Sequence, residues 1–216
     1  MKLLMKEWKL CMHPAAYFML LCAVLILVPG YPYGVTCFYM GLAIYFICLS
    51  ARENHDASFT LMLPVSRADA VRARILFCVL LEAASLLLVI LCILLKNAIG
   101  SMRNPAGLDA GLALVGECLI LYTLFDLIFF PMYYKDINKP GKAFVFAASA
   151  MFLWIILEIV GTYTIPFLRD VLDQPDPQYM SDKALFTFGA LALFVAGTAW
   201  NIRISTGKFE AQDLNL

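Results

Sequence analysis

Residues 10–51 read LCMHPAAYFMLLCAVLILVPGYPYGVTCFYMGLAIYFICLSA and contain no Asp, Glu, Lys or Arg. A helix needs about 20 apolar residues to cross the hydrocarbon core of a bilayer, so this stretch has room for two. The run Pro29-Gly30-Tyr31-Pro32-Tyr33-Gly34 in its middle carries the chemistry of a turn. The reading is a hairpin of two membrane spans, about 15–28 and 35–50.

Outward from this stretch the charges keep falling in clusters, and the gaps between them predict four more spans. They are 75–95 with Glu82 inside, 111–134 with Glu117 and Asp126, 143–168 with Glu158, and the charge-free 184–202. Hydrophobic residues make up 62% of the 216 and charged residues 15%, whereas soluble domains run to about 45–50% and 25%. A soluble sphere of this size could not hide so much apolar surface. The 16 basic residues balance 16 acidic ones, so the basic excess of a nucleic-acid binder is missing. The expected fold is an all-α integral membrane protein, one unit over residues 1–216 with six transmembrane helices in the lipid bilayer. Met1–Val28 has the basic start and apolar run of a signal peptide, but no small-residue cleavage site follows and a second apolar run begins at once.

Six spans put both termini on one side, and the positive-inside rule selects it. With the N-terminus cytoplasmic, Lys2, Lys6, Lys9, Arg52, Arg67, Arg72, Arg74, Lys135, Lys139, Lys142, Arg203 and Lys208 lie inside. Only Lys96, Arg103, Arg169 and Lys183 lie outside. This predicts an N-in, C-in layout.

At 100° per residue, Lys2, Lys6 and Lys9 form one stripe of residues 1–13, and Met1, Leu4, Met5, Trp8 and Cys11 form the opposite one. That pattern predicts an interfacial elbow helix with its lysines toward anionic lipid, broken from the first span by Pro14. The cytoplasmic segment 51–74, ARENHDASFTLMLPVSRADAVRAR, is too short for a domain. Pro64 should end a short helix around Glu53–Met62. Ser66 followed by Asp69 should start a new one that rises into the third span. Phe59, Leu61, Met62 and Leu63 are apolar yet outside any span, with Arg52, Glu53, Asp56 and Arg67 around them. They can pack on the protein's own cytoplasmic ends, or they can anchor a cytosolic partner within a polar rim.

Charged groups at membrane depth cost roughly 2.5–3.5 kcal/mol each on insertion scales, so Glu82, Glu117, Asp126 and Glu158 each need a reason. They can be structural, bonding helix to helix, or they can line a path for cationic or amphipathic cargo. Glu117 and Asp126 are nine residues apart, about 180° around a helix, so they face different ways. The seven cysteines form no C-x-x-C, and His13 and His55 are the only histidines; no metal site is expected.

Three features together resemble the membrane-spanning permease subunits of ABC-2-type exporters. They are the six-span layout with an elbow, the acidic loop leading into Leu63-Pro64-Val65-Ser66-Arg67, and Phe130-Pro131-Met132-Tyr133-Tyr134-Lys135 before a basic loop with Gly141-Lys142. The chain looks most like the compact bacterial branch that includes permeases exporting phenol-soluble modulins and other amphipathic or antimicrobial peptides. The resemblance implies a plasma-membrane permease working as a homodimer or heterodimer with a separate nucleotide-binding ATPase subunit, which would hold ATP and Mg. It also implies that Glu53–Leu63 is the coupling helix on that ATPase, with Pro64–Arg67 shaping its exit. Unlike larger members, the chain has no sizeable extracellular domain.

A P-loop, G-x-x-x-x-G-K-[ST], is absent, as are the G-x-S-x-G and H-E-x-x-H signatures of hydrolases. No cofactor is therefore expected on this chain, and catalysis is expected elsewhere. The alternative function is a proton-coupled secondary carrier using the four intramembrane carboxylates. A carrier should show inverted repeats and broken helices, and the two halves show no such match.

Overall fold

The computed structural model describes residues 2–100 and 104–211. Met1 of the elbow's apolar stripe and Arg103 of the outer charge count lie outside the described residues, as does the side chain of Lys2. Among the described residues the chain is helical and has no strand. In chain order the helices are α1 (Lys2–Lys6), α2 (Pro14–Leu21), α3 (Val35–Glu53), α4 (Asp56–Leu61), α5 (Arg67–Ile99), α6 (Leu112–Tyr133), α7 (Pro140–Thr164) and α8 (Met180–Glu210). A π-turn at Glu7–Cys11 continues α1, a 3-10 turn at Cys22–Leu27 continues α2, and a second π-turn covers Leu168–Leu172.

Helices α3, α5, α6, α7 and α8 are each long and apolar enough to cross a bilayer. A sixth crossing exists only if Leu3–Cys11 and Pro14–Leu27 count together as one broken span, bent by 88°. The bend falls where Pro14 removes a backbone donor and His13 accepts from the Ala15 N–H at 3.1 Å, capping α2. Helix α2 with its 3-10 extension reaches about 24 Å, short of the ~30 Å hydrocarbon core.

Sequence explains the other boundaries. Ser66 caps α5, its Oγ accepting from the Asp69 N–H at 3.0 Å, and Gly100 closes that helix with φ of 74°. Pro166 disfavours helix at Ile165, so α7 ends at Thr164 and stops short of Leu168. Helix α8 outruns its charge-free core at both ends because Ser, Asp and Lys there tolerate helix outside lipid.

Helix α6 is the most enclosed crossing helix and α8 the least. On α6, Phe125, Phe129 and Tyr133 recur every four residues and stack at ring separations of 5.0 and 5.8 Å. Helix α8 lies close along α6 through small residues. A Cβ added at Gly116 would stand 3.2 Å from the Thr187 backbone, and one at Gly197 would stand 2.8 Å from Thr123. Small residues at such crossings allow the close approach that drives association in lipid.

The connections fall at two ends. At one end Arg52 donates to the Asn138 carbonyl at 3.3 Å, and Arg67 donates to the carbonyls of Phe209 and Glu210 at 3.2 Å each. This end therefore gathers α4, the start of α5, the 134–139 turn and the end of α8. At the other end Asn104 donates to the Tyr31 carbonyl, Asp173 accepts from the Asp109 N–H, and Asp176 accepts from the Leu112 N–H. The described basic residues of this second end are paired with acids. Lys96 lies 3.6 Å from Asp109, Lys183 is 2.7 Å from Asp176, and Arg169 is 2.8 Å from Asp170.

Candidate functional site

His55 takes a left-handed φ of 51°, which stops α3 at Glu53 and turns the chain before α4 begins. The short helix is thus Asp56–Leu61 instead of the expected Glu53–Met62, and Glu53 ends α3, exposed beside Arg52. On α4 and just after it the apolar residues divide. Phe59, Met62 and Leu63 are exposed, Met62 by 77%. Leu61 packs inward against the core. Pro64 makes the bend and Arg67 anchors the base of α5 to the end of α8, its guanidinium also over the Phe209 ring at 5.8 Å.

The polar face of α4 is turned inward. Asp56 lies 2.5 Å from the Arg74 guanidinium and 2.6 Å from the Lys6 ammonium. Arg74 also pairs with Glu7, and Lys6 donates to Thr60 at 2.6 Å. Arg74 and Glu7 are almost fully buried. One network thus joins α1, the π-turn after it, α4 and α5. Burial would raise the Asp56 carboxyl, but Arg74 and Lys6 more than offset it and hold it below its ordinary value. Lys6 therefore does not point to lipid as the helical stripe predicted; an acidic partner fixed in the protein outcompetes it.

Glu7, Cys11 and Asp56 bring possible metal ligands within 4.8 Å of one another. The Arg74 guanidinium already stands among them, 3.3 Å from the Cys11 sulfur and bonded to both carboxylates. That is the arrangement of an ion-pair cluster. Beside it a cavity of about 350 Å³ is lined by Arg52, Asp56, Arg74, Tyr134, Asn138 and Phe209, among others.

The four intramembrane carboxylates fall into two separate pairs. Glu82 on α5 and Asp126 on α6 face each other, almost fully buried, with no oxygen in ordinary hydrogen-bond geometry. Glu117 on α6 accepts from the Trp154 indole of α7 at 2.6 Å, and Glu158 on α7 accepts from the Leu108 N–H at 2.7 Å. Among the described residues, no Lys or Arg pairs with any of the four. The opposite facing of Glu117 and Asp126 follows from their spacing on α6. The partner of each could not be read from one helix alone.

The residues missed in the sequence are Glu7 and Arg74. The available signal was their unusual position: an acid on a basic amphipathic helix, and an arginine one residue from the predicted membrane boundary.

Comparison with curated proteins found no significant match, and comparison with solved structures found none. Comparison with protein families found one match, to the ABC-2 family transporter proteins, over residues 2–210. That match spans every crossing helix, the α4 network and both carboxylate pairs, so the chain is a membrane component of transport and belongs to the ABC-2 transporter family.

Proposed function

We propose that this protein is the permease of an ATP-binding-cassette exporter that moves amphipathic peptides or other hydrophobic cargo out of a bacterial cell. Two permeases, identical or sibling, enclose the conduit, and a separate nucleotide-binding subunit with ATP and Mg drives it. The observation that carries this reading is the two-sided form of α4. Phe59, Met62 and Leu63 face outward, while Asp56 ties the same helix to Arg74 and Lys6. A partner that moves Phe59 moves α1 and α5 together, because a buried ion-pair network resists being pulled apart.

In this reading the α4 end is cytoplasmic. The basic residues concentrate there, Arg52, Arg67, Arg72, Arg74, Lys135, Lys139 and Lys142 among them, whereas the opposite end holds Lys96, Arg169 and Lys183 among the described residues. The carrier alternative needs a continuous proton relay. Asp126 and Glu117 lie nine residues apart on α6, an axial gap of about 13 Å, and they belong to different pairs. The test is reconstitution of the chain with its nucleotide-binding subunit in liposomes. ATP-dependent movement of an amphipathic peptide supports export; movement driven by a proton gradient without ATP overturns it.

A further inference from the structure

At the end opposite α4, helices α6, α7 and α8 enclose a second kind of space. A cavity of about 350 Å³ is lined by Glu117, Trp154, Leu157, Glu158, Phe167 and Phe186, with Ile120, Ile165 and leucines completing an apolar wall. Glu117 is 5% exposed. Only its Oε1 receives a hydrogen bond, from Trp154, and only Oε1 of Glu158 receives one, from Leu108. Each carboxylate therefore presents a second oxygen that no donor among the described residues satisfies. The nearest arginine in sequence, Arg169, is committed to Asp170.

We infer that this cavity is a binding site for a hydrophobic monocation, an ammonium- or phosphonium-type charge on an apolar body, entering sideways from lipid. The lining sorts ligands in two ways. The apolar wall accepts an aromatic or alkyl body. The carboxylates and the indole face of Trp154 select positive charge, by Coulomb attraction and cation–π contact in a site shielded from water. The route is lateral because Leu157 and Phe167 are also exposed on the outside of the bundle, 57% and 51%. The site lies within one chain and does not depend on a permease dimer or on the ATPase. It is also separate from Glu82 and Asp126, which are almost fully buried and do not line it.

The test uses the full chain in phosphatidylcholine nanodiscs, with empty discs subtracted and no ATPase present, so its failure leaves the coupling reading untouched. The probes are tetraphenylphosphonium and tetraphenylborate, which share size and shape and differ in charge. Tetraphenylphosphonium should bind saturably, one per chain, and tetraphenylborate should not. E117Q and E158Q keep the oxygen that accepts from Trp154 or Leu108, so each should insert normally and weaken phosphonium binding about tenfold or more. L157W fills the cavity from a wall exposed to lipid and should lose the binding as well. Saturable binding of both ions alike overturns the site. So does phosphonium binding unchanged in the E117Q, E158Q double variant or in L157W.

Discussion

The Arg74 guanidinium lies 2.5 Å from Asp56, eighteen residues earlier in the chain, and also pairs with Glu7 in the turn after α1. One nearly buried side chain on a membrane-crossing helix thus fixes both short helices at that end. Removing one member of such a cluster leaves buried charge unpaired.

Arg74→Ala should therefore destabilise the protein by about 3–5 kcal/mol. Lys6→Ala should cost less, since Lys6 keeps some contact with water and Arg74 still serves Asp56. Thermal unfolding in detergent checks both, and amide exchange should show α1 and α4 loosening together in R74A. Loosening confined to one of them would show that the network does not join them.

Acid should release the same tie. Asp56 is held below its ordinary value of 3.8, so its contribution is fully present above that value and is lost as pH falls through the lower folded value. The protection of the α4 amides, taken relative to the intrinsic exchange rate at each pH, should stay constant from neutral pH down to that region and fall only below it. D56N should show low protection of α4 at every pH.

The contact of α6 with α8 should be sensitive to a single methyl group, and the open face of α8 should not. G116A brings a Cβ to 2.8 Å from the Phe186 ring and 3.2 Å from the Thr187 backbone, so it should cost about 1–3 kcal/mol. At Gly189 nothing lies within 4 Å, and G189A should be neutral or stabilise by up to about 1 kcal/mol. Equal effects at the two sites would mean that α6 and α8 do not pack closely in the membrane.

The helical, lipid-facing character of the chain was legible because it rests on gaps between charges, a one-dimensional pattern. The Ser66–Asp69 cap was legible for the same reason: it joins residues three apart. The start of α4 was not, because it depends on His55 adopting a left-handed backbone, which no local residue demands. The inward turn of Lys6 was hidden as well. A helical stripe shows which residues share a face and leaves open whether that face meets lipid or an Asp fifty residues away. The carboxylate pairs were hidden because each joins two helices, α5 with α6 and α6 with α7.

Orientation can be read directly at two exposed positions. Lys139 and Asp170 both stand in water, 72% and 54% exposed in their side chains. In a background without native cysteines, Lys139→Cys should label only from the cytoplasm and Asp170→Cys only from outside. The reverse pattern would invert the layout and place α4 beyond reach of any cytosolic ATPase.

The central claim is that α4 is where the ATPase takes hold, and co-purification of the two subunits from membranes tests it most directly. The variants are F59A and M62A, whose exposed side chains leave folding intact, with Leu185→Ala, exposed by 74% near the other end, as the control. The expected result is a loss of about 1–3 kcal/mol of subunit affinity for F59A, a further loss with M62A added, and none for L185A. Full recovery of the ATPase with the F59A, M62A double variant, at undiminished hydrolysis, would contradict the account and move the docking surface to the 135–142 loop.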